Sequence, residues 1–440
     1  MIRRPRSLSL TLALAALITA LSTARAAGAA VPAVGSSPAV QDEELEALIA
    51  AERAEADLLR RRGKLTDALK ITDELLDEDD EDPLTLAVRG RIRLDRGELQ
   101  RAERTAVEAM ELAETDGERR AAGHLLAAVL LRTGRATEVL STLEEFAGGE
   151  PFLVPGERPE DAWLLATVRD ELGDRAGAER MARSGAATDP DASDWEGLLA
   201  RARCQRRAGM LEAASRTLVA ADRASRMGPG EEPDVLVELA DLYFESEREV
   251  EAPGKRSAGR LYRDALEIHP THEAALLGQF TLHRFNRRRM SKSPEAILGE
   301  LLKAVPTSVE GLVARAASDL EDGKLVQVRA SLARLDELAP GRRDVRTLHA
   351  ALAWVEHDRE RTAEILEELL RGAPLDGRPE REIGGHLSEL YRFAEAVDFL
   401  RAAVERDPGD YQAWTLLGEC LANSGDEKGG LEALTRANEA

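Results

Sequence analysis

The sequence predicts an all-α chain wound as a solenoid of about eleven stacked helical hairpins, and three observations lead there. The first is composition. Of 440 residues, 32% are charged and 3% aromatic, with Ala, Leu, Glu and Arg at most positions. Such side chains lose little entropy in a helix, and no sustained alternation of period two marks a strand. The second is a ladder of prolines: Pro306, Pro340, Pro374 and Pro408 follow one another at 34 residues, and Pro270 stands 36 before the first. The third is a matching ladder of glycines, in which Gly63 and Gly97 are also 34 apart, as are Ala68 and Ala102. A fixed period of this size signals stacked supersecondary units.

Residues 83–113 show one unit in full. A first helix opens at Pro83, a tolerated first-turn residue, and aligns Leu86, Gly90 and Leu94. Gly97 provides a sharp turn, and a second helix presents Ala102, Ala106 and Ala109 as one smooth stripe. The last unit repeats the pattern with Trp414, Leu417, Gly418, Leu421, Gly425, Gly430, Leu434 and Ala437. These residues resemble the tetratricopeptide repeat family, the Trp414-x-x-Leu417-Gly418 run above all. The resemblance implies helix–turn–helix units whose first helices line a concave face that meets protein or peptide partners. Units are expected to start near Ile49, Pro83, Arg120, Pro159, Trp195, Pro233, Thr271, Val309, Arg343, Gly377 and Tyr411. Register breaks at 148–160, at 245–257 and at 282–294. The last of these, "LHRFNRRRMSKSP", reads as a lengthened basic turn, with Ser293 as N-cap and Pro294 as first helical residue.

The amino terminus reads as an export signal over residues 1–26. Arg3, Arg4 and Arg6 precede an apolar run from Leu8 to Leu21 and a small-x-small site at Ala24-Arg25-Ala26. A flexible leader is expected over 27–42, then an array over 43–147, a connector over 148–160 and the main array over 161–440. Cleavage removes four arginines and no acid, taking the formal charge from −22 to −26. That charge excludes a general nucleic-acid binder. The apolar run is short for a membrane span, so no stable anchor is expected after cleavage, and the mature chain is placed in the periplasm or cell envelope.

No catalytic or cofactor constellation is present. The chain has no H-E-x-x-H, P-loop, dinucleotide fingerprint or nucleophile elbow, and its acidic run at 77–82 lacks the spacing of a calcium loop. His269 and His272 flank Pro270 in a turn and are not expected to bind metal. Cys204 and Cys420 read as small buried residues rather than a bridge. The expected function is therefore a non-enzymatic scaffold for a protein or peptide. Candidate contacts on the first helices are Arg91, Arg203, Arg206, Arg207, Asp241, Gln279, His283, Glu321, Glu419 and Asn423. The carboxylate-binding mode of some family members is not expected, because Ala87, His124, Trp163, Leu199 and Val237 hold the places where it needs Lys and Asn. The last helix has no polar cap, so two alternatives stand beside the scaffold. One is a longer exported protein, such as a metallopeptidase, whose catalytic part lies past residue 440. The other is self-association through the last repeat.

Overall fold

The structure is a computed structural model that describes residues 38–147, 152–245, 257–285 and 292–440. It divides into two compact parts, 1–51 and 52–440. Of the first, a helix beginning at Pro38 is described, five residues inside the stretch read as a leader. The export signal lies outside the described residues.

The described residues form 22 α-helices, paired into the eleven hairpins that the proline and glycine ladders predict. Hairpin 1 pairs α1 (Pro38–Arg61) with α2 (Leu65–Glu78), and hairpin 2 pairs α3 (Pro83–Asp95) with α4 (Leu99–Leu112). Hairpins 3 and 4 are α5 (Asp116–Arg132) with α6 (Ala136–Ala147) and α7 (Pro159–Glu171) with α8 (Arg175–Ala186). Hairpins 5 and 6 are α9 (Trp195–Arg207) with α10 (Leu211–Met227) and α11 (Pro233–Glu245) with α12 (Ala258–Ile268). Hairpins 7 and 8 are α13 (Glu273–Phe285) with α14 (Pro294–Ala304) and α15 (Val309–Glu321) with α16 (Leu325–Leu338). The rest are α17 (Arg343–Val355) with α18 (Arg359–Arg371), α19 (Arg378–Glu389) with α20 (Phe393–Arg406), and α21 (Tyr411–Asn423) with α22 (Glu427–Glu439). No described helix is long and apolar enough to cross a membrane.

Small residues allow close packing both within and between hairpins. A Cβ on Gly418 would come within 3.0 Å of the Gly430 carbonyl in the same hairpin, whereas one on Gly90 would strike the Leu125 side chain of the next hairpin. Hairpin 3 begins four residues earlier than the repeat spacing predicts. Thr115 and Glu118 form a reciprocal capping box there and start α5 at Asp116. The described part of the connector, from Phe152, is packed into the array: Phe152 and Leu153 are buried, and Phe152 lies against Gly123. Ser293 caps α14 by accepting from the Ala296 N–H at 3.2 Å, and Pro294 follows it as predicted. The core of that basic turn, 286–291, and the insertion at 246–256 lie outside the described residues. The described cations flanking the turn are paired, Arg284 with Glu321 and Lys292 with Glu300 at 2.8 Å, which favours the structural reading of this stretch.

The two ladders meet each other. The superhelix of residues 52–440 is wound tightly enough that the turn inside each of hairpins 1 to 4 docks on a proline-marked linker one superhelical turn later. Gly63 packs on His269, Gly97 on Val305 and Thr307, Gly134 on Gly341 and Arg342, and Gly173 on Ala373. Thr307 Oγ1 donates to the Gly97 carbonyl at 3.0 Å. A single apolar cluster consequently includes both Leu76 to Val168 and Val309 to Ala433. We call this line of contacts the seam.

The turns outside the seam confirm what its glycines do. At Gly209, Gly323 and Gly425 an added Cβ would meet nothing within 4 Å. In hairpins 9 and 10 the same turn position holds His357 (φ 68°) and Tyr391 (φ 59°). A left-handed side-chain-bearing residue costs about 1–2 kcal/mol, part of which glycine returns as unfolded-state entropy. His357→Gly should therefore raise stability by roughly 0.5–1 kcal/mol, read as a higher denaturation midpoint. An unchanged or lowered midpoint would show that the His357 side chain contributes contacts that outweigh its backbone strain.

Candidate functional site

First helices of successive hairpins pack side by side. Most of the predicted contacts on them have partners within the chain. Arg203 Nε donates to Glu238 at 2.6 Å, and Arg206 Nη1 lies 2.9 Å from the other oxygen of Glu238 and 3.7 Å from Asp241. Arg207 pairs with Asp170 of hairpin 4, and the guanidinium carbons of Arg203 and Arg207 lie 6.0 and 5.6 Å from the Trp163 ring centroid. Asp241 accepts from the Tyr262 hydroxyl at 2.5 Å, and burial pushes its carboxyl up to about 6. Glu321 joins Arg284 to His386, whose Nδ1 is 3.0 Å away. His283 is buried and donates through Nδ1 to the Lys292 carbonyl at 3.0 Å, so it fastens the end of its own hairpin. Gln279 is half-buried, while Glu419 and Asn423 are exposed on α21.

Arg91 differs from these. It forms no ion pair or hydrogen bond among the described residues, although it lies beside Asp57, Asp95 and Glu196. Burial, then repulsion from Arg60, pushes its guanidinium below the ordinary arginine value. Its neighbours are ion-paired: Arg60 bridges Asp57 at 2.8 Å and Asp95 at 2.9 Å, and Arg61 reaches Asp57 at 2.5 Å and Glu196 at 3.0 Å. Arg61 also lies 5.1 Å from the Trp195 ring centroid. This hairpin 1 constellation was absent from the predicted set; it joins local acids, Asp57 and Asp95, to Glu196 four hairpins away.

A cavity of about 640 Å³ opens beside it on the seam, lined by Arg60, Arg61 and Asp95 on one side and by His269, His272 and Glu273 on the other. His272 accepts the Ala275 N–H through Nδ1 at 3.3 Å, so its Nε2 carries the proton and faces Asp234 at 3.3 Å. It is a helix cap with a carboxylate partner. His269 is buried against Gly63, and burial holds its imidazole down at about 4. No group of three His, Cys, Asp or Glu among the described residues could hold a metal ion. Cys204 and Cys420 are both free and buried, and burial pushes the Cys204 thiol up to about 12. That is a poor nucleophile at neutral pH.

No family model matches the chain, and no characterised protein matches it in sequence. Solved structures of similar outline include yeast Tom70, at 11% identity over 90% of this chain and 92% of that one, with a TM-score of 0.37. A tetratricopeptide repeat protein from Parabacteroides merdae ATCC 43184 is 16% identical over 56% of this chain and 92% of its own, with a TM-score of 0.39. Cut9 in the Cut9–Hcn1 assembly of the APC/C is 15% identical over 92% and 81%, with a TM-score of 0.38. The tetratricopeptide-like solenoid is established by the helix pairs themselves, not by these slight likenesses.

Proposed function

We propose that this chain is an exported, non-catalytic scaffold that holds a protein or peptide partner against the inner face of its superhelix. The observation that carries the reading is Arg91, a guanidinium left unpaired on a wall where Arg60, Arg61, Arg203, Arg206 and Arg207 all have carboxylate partners. A half-buried guanidinium with no carboxylate partner, which solvent still reaches, is suited to receive a counter-charge from outside. The arginine-led signal at residues 1–26 supports export, and the rigid stacked hairpins suit a pre-formed binding surface.

The test uses the chain from residue 27 onward, immobilised and exposed to cell-envelope extract. Arg91→Ser breaks no ion pair and should leave the denaturation midpoint unchanged, while retention of the captured partner falls at least tenfold. Arg401→Ser, on the exposed surface of α20, should leave retention unchanged. Equal retention by both variants would remove the inner face from the function.

A further inference from the structure

The seam is uneven along its length. From hairpin 2 to hairpin 4, groups that meet across it are hydrogen-bonded or ion-paired. Thr307 donates to Gly97, Gly134 meets Gly341 backbone to backbone, and Arg378 donates to the Asp170 carbonyl at 2.6 Å. Arg132 pairs with both Glu273 and Glu310, and Arg342 reaches Glu310 at 2.9 Å.

At hairpin 1 the seam buries polar atoms that have no protein hydrogen-bond partner: both carboxylate oxygens of Glu232, Nδ1 of His269 and Nε of Arg61. The Glu232 side chain is fully buried, and its cations stand off at 3.5 Å (Arg61) and 3.9 Å (Arg62), at or past the limit of a good hydrogen bond. Each such group raises the free energy of the docked state relative to one that water reaches. Titration agrees: burial pushes the Glu232 carboxyl up to about 6 and the His269 imidazole down to about 4. The 640 Å³ cavity lies at this same end of the seam, between Arg60, Arg61 and Leu65 on hairpin 1 and Asp234, His269 and His272 opposite.

We infer that residues 52–78 are a gate: this end of the seam parts while hairpins 2 to 4 stay docked, and parting it opens the cavity and the inner wall around Arg91 to a partner. The paired end acts as the hinge side, because its backbone-to-backbone contacts have nowhere to relax. The gate supplies the entrance for the partner-binding reading, but its existence is tested without any partner.

His269 and Ala339 make a matched pair, since each is the buried residue immediately before a ladder proline, one at the gate and one on the paired seam. In a Cys204→Ala/Cys420→Ala background, His269→Cys and Ala339→Cys are made separately. Each native protein is treated with a water-soluble aromatic disulfide that reports free thiols by colour. The thiol at 269 should react at least tenfold faster than the thiol at 339, through an opening smaller than global unfolding. A second measurement needs no substitution. In the unaltered chain, carbethoxylation followed by peptide mass spectrometry should modify His269, despite its 9% exposure, at denaturant concentrations well below the unfolding transition. Equal thiol rates at the two positions overturn the gate. So does a His269 that stays unmodified until the chain unfolds while exposed His357 reacts fully.

Discussion

Gly134→Val should part the seam and cost about 2–5 kcal/mol, the sum of a left-handed backbone penalty of roughly 1–2 and an overpacking term of roughly 1–3 kcal/mol. Gly134 has φ 78°, and a Cβ there would strike the Arg342 backbone nitrogen and lie 2.7 Å from the Gly341 carbonyl carbon. Seen from the other side, a Cβ on Gly341 would strike the Gly134 carbonyl oxygen. Both obstacles are backbone, so no side-chain rotation relieves them, and the two superhelical turns must separate. Gly323→Val is the control. It has a similar φ of 71° with nothing within 4 Å, and should cost only the backbone term of about 1–2 kcal/mol. Denaturant midpoints measure the difference, and small-angle scattering measures the seam: the radius of gyration should grow for Gly134→Val alone. Equal losses and equal radii for the two variants would show that the docking of turn on linker contributes nothing to the closed form.

This contrast also shows how far the sequence can be read. Spacing alone revealed the hairpins, their number and most of their starts, because proline and glycine act locally. A proline needs only its own φ and missing N–H to mark a helix start, and a glycine only its own φ to mark a turn. That the ladders face each other depends on the small rotation between successive hairpins, summed over a superhelical turn, and no local signal encodes that sum. A trace existed nonetheless. The four seam turns all hold Gly, whereas hairpins 9 and 10 put His357 and Tyr391, both exposed, at the same place.

The inner wall was legible in position and not in pairing. Repeat register put Arg203, Arg206, Arg207, Asp241 and Glu321 on first helices. Their partners, however, are Glu238, Asp170, Tyr262 and His386, set by other first helices and, for Tyr262, by the second helix of the same hairpin. A ligand is not needed to explain most of them. His283 was read as a contact and instead closes its own hairpin through the Lys292 carbonyl. Glu232 and His269, the groups that set the gate apart, sit in linkers, where a repeat-based reading looks for turns and not for buried charge.

Asp161→Ala should be the most costly loss of a single side-chain interaction, about 3–5 kcal/mol, because it leaves buried donors without an acceptor. The carboxylate is completely buried and accepts from the Val154 N–H at 3.0 Å, His124 Nε2 at 2.8 Å and Arg120 Nε at 3.4 Å. Arg120 also donates to the Phe152 carbonyl at 3.3 Å, so one acid ties hairpin 3, the connector and hairpin 4 together. Burial by itself would raise this carboxyl. The His124 hydrogen bond, the Val154 N–H and Arg120 outweigh it and hold the group below the ordinary aspartate value. A depressed carboxylate adds stability above its unfolded value near 3.8 and loses it as pH falls through the lower folded value. The difference between wild type and Asp161→Ala should accordingly be full at pH 7 and shrink once the pH drops below about 4. The connector gives a second readout. With Val154 and Phe152 released, chymotrypsin should cut after Phe152 far faster in the variant than in the wild-type chain. Cleavage at an unchanged rate would mean that the buried Phe152 and Leu153 hold the connector by themselves, and that Asp161 acts only within its own hairpin.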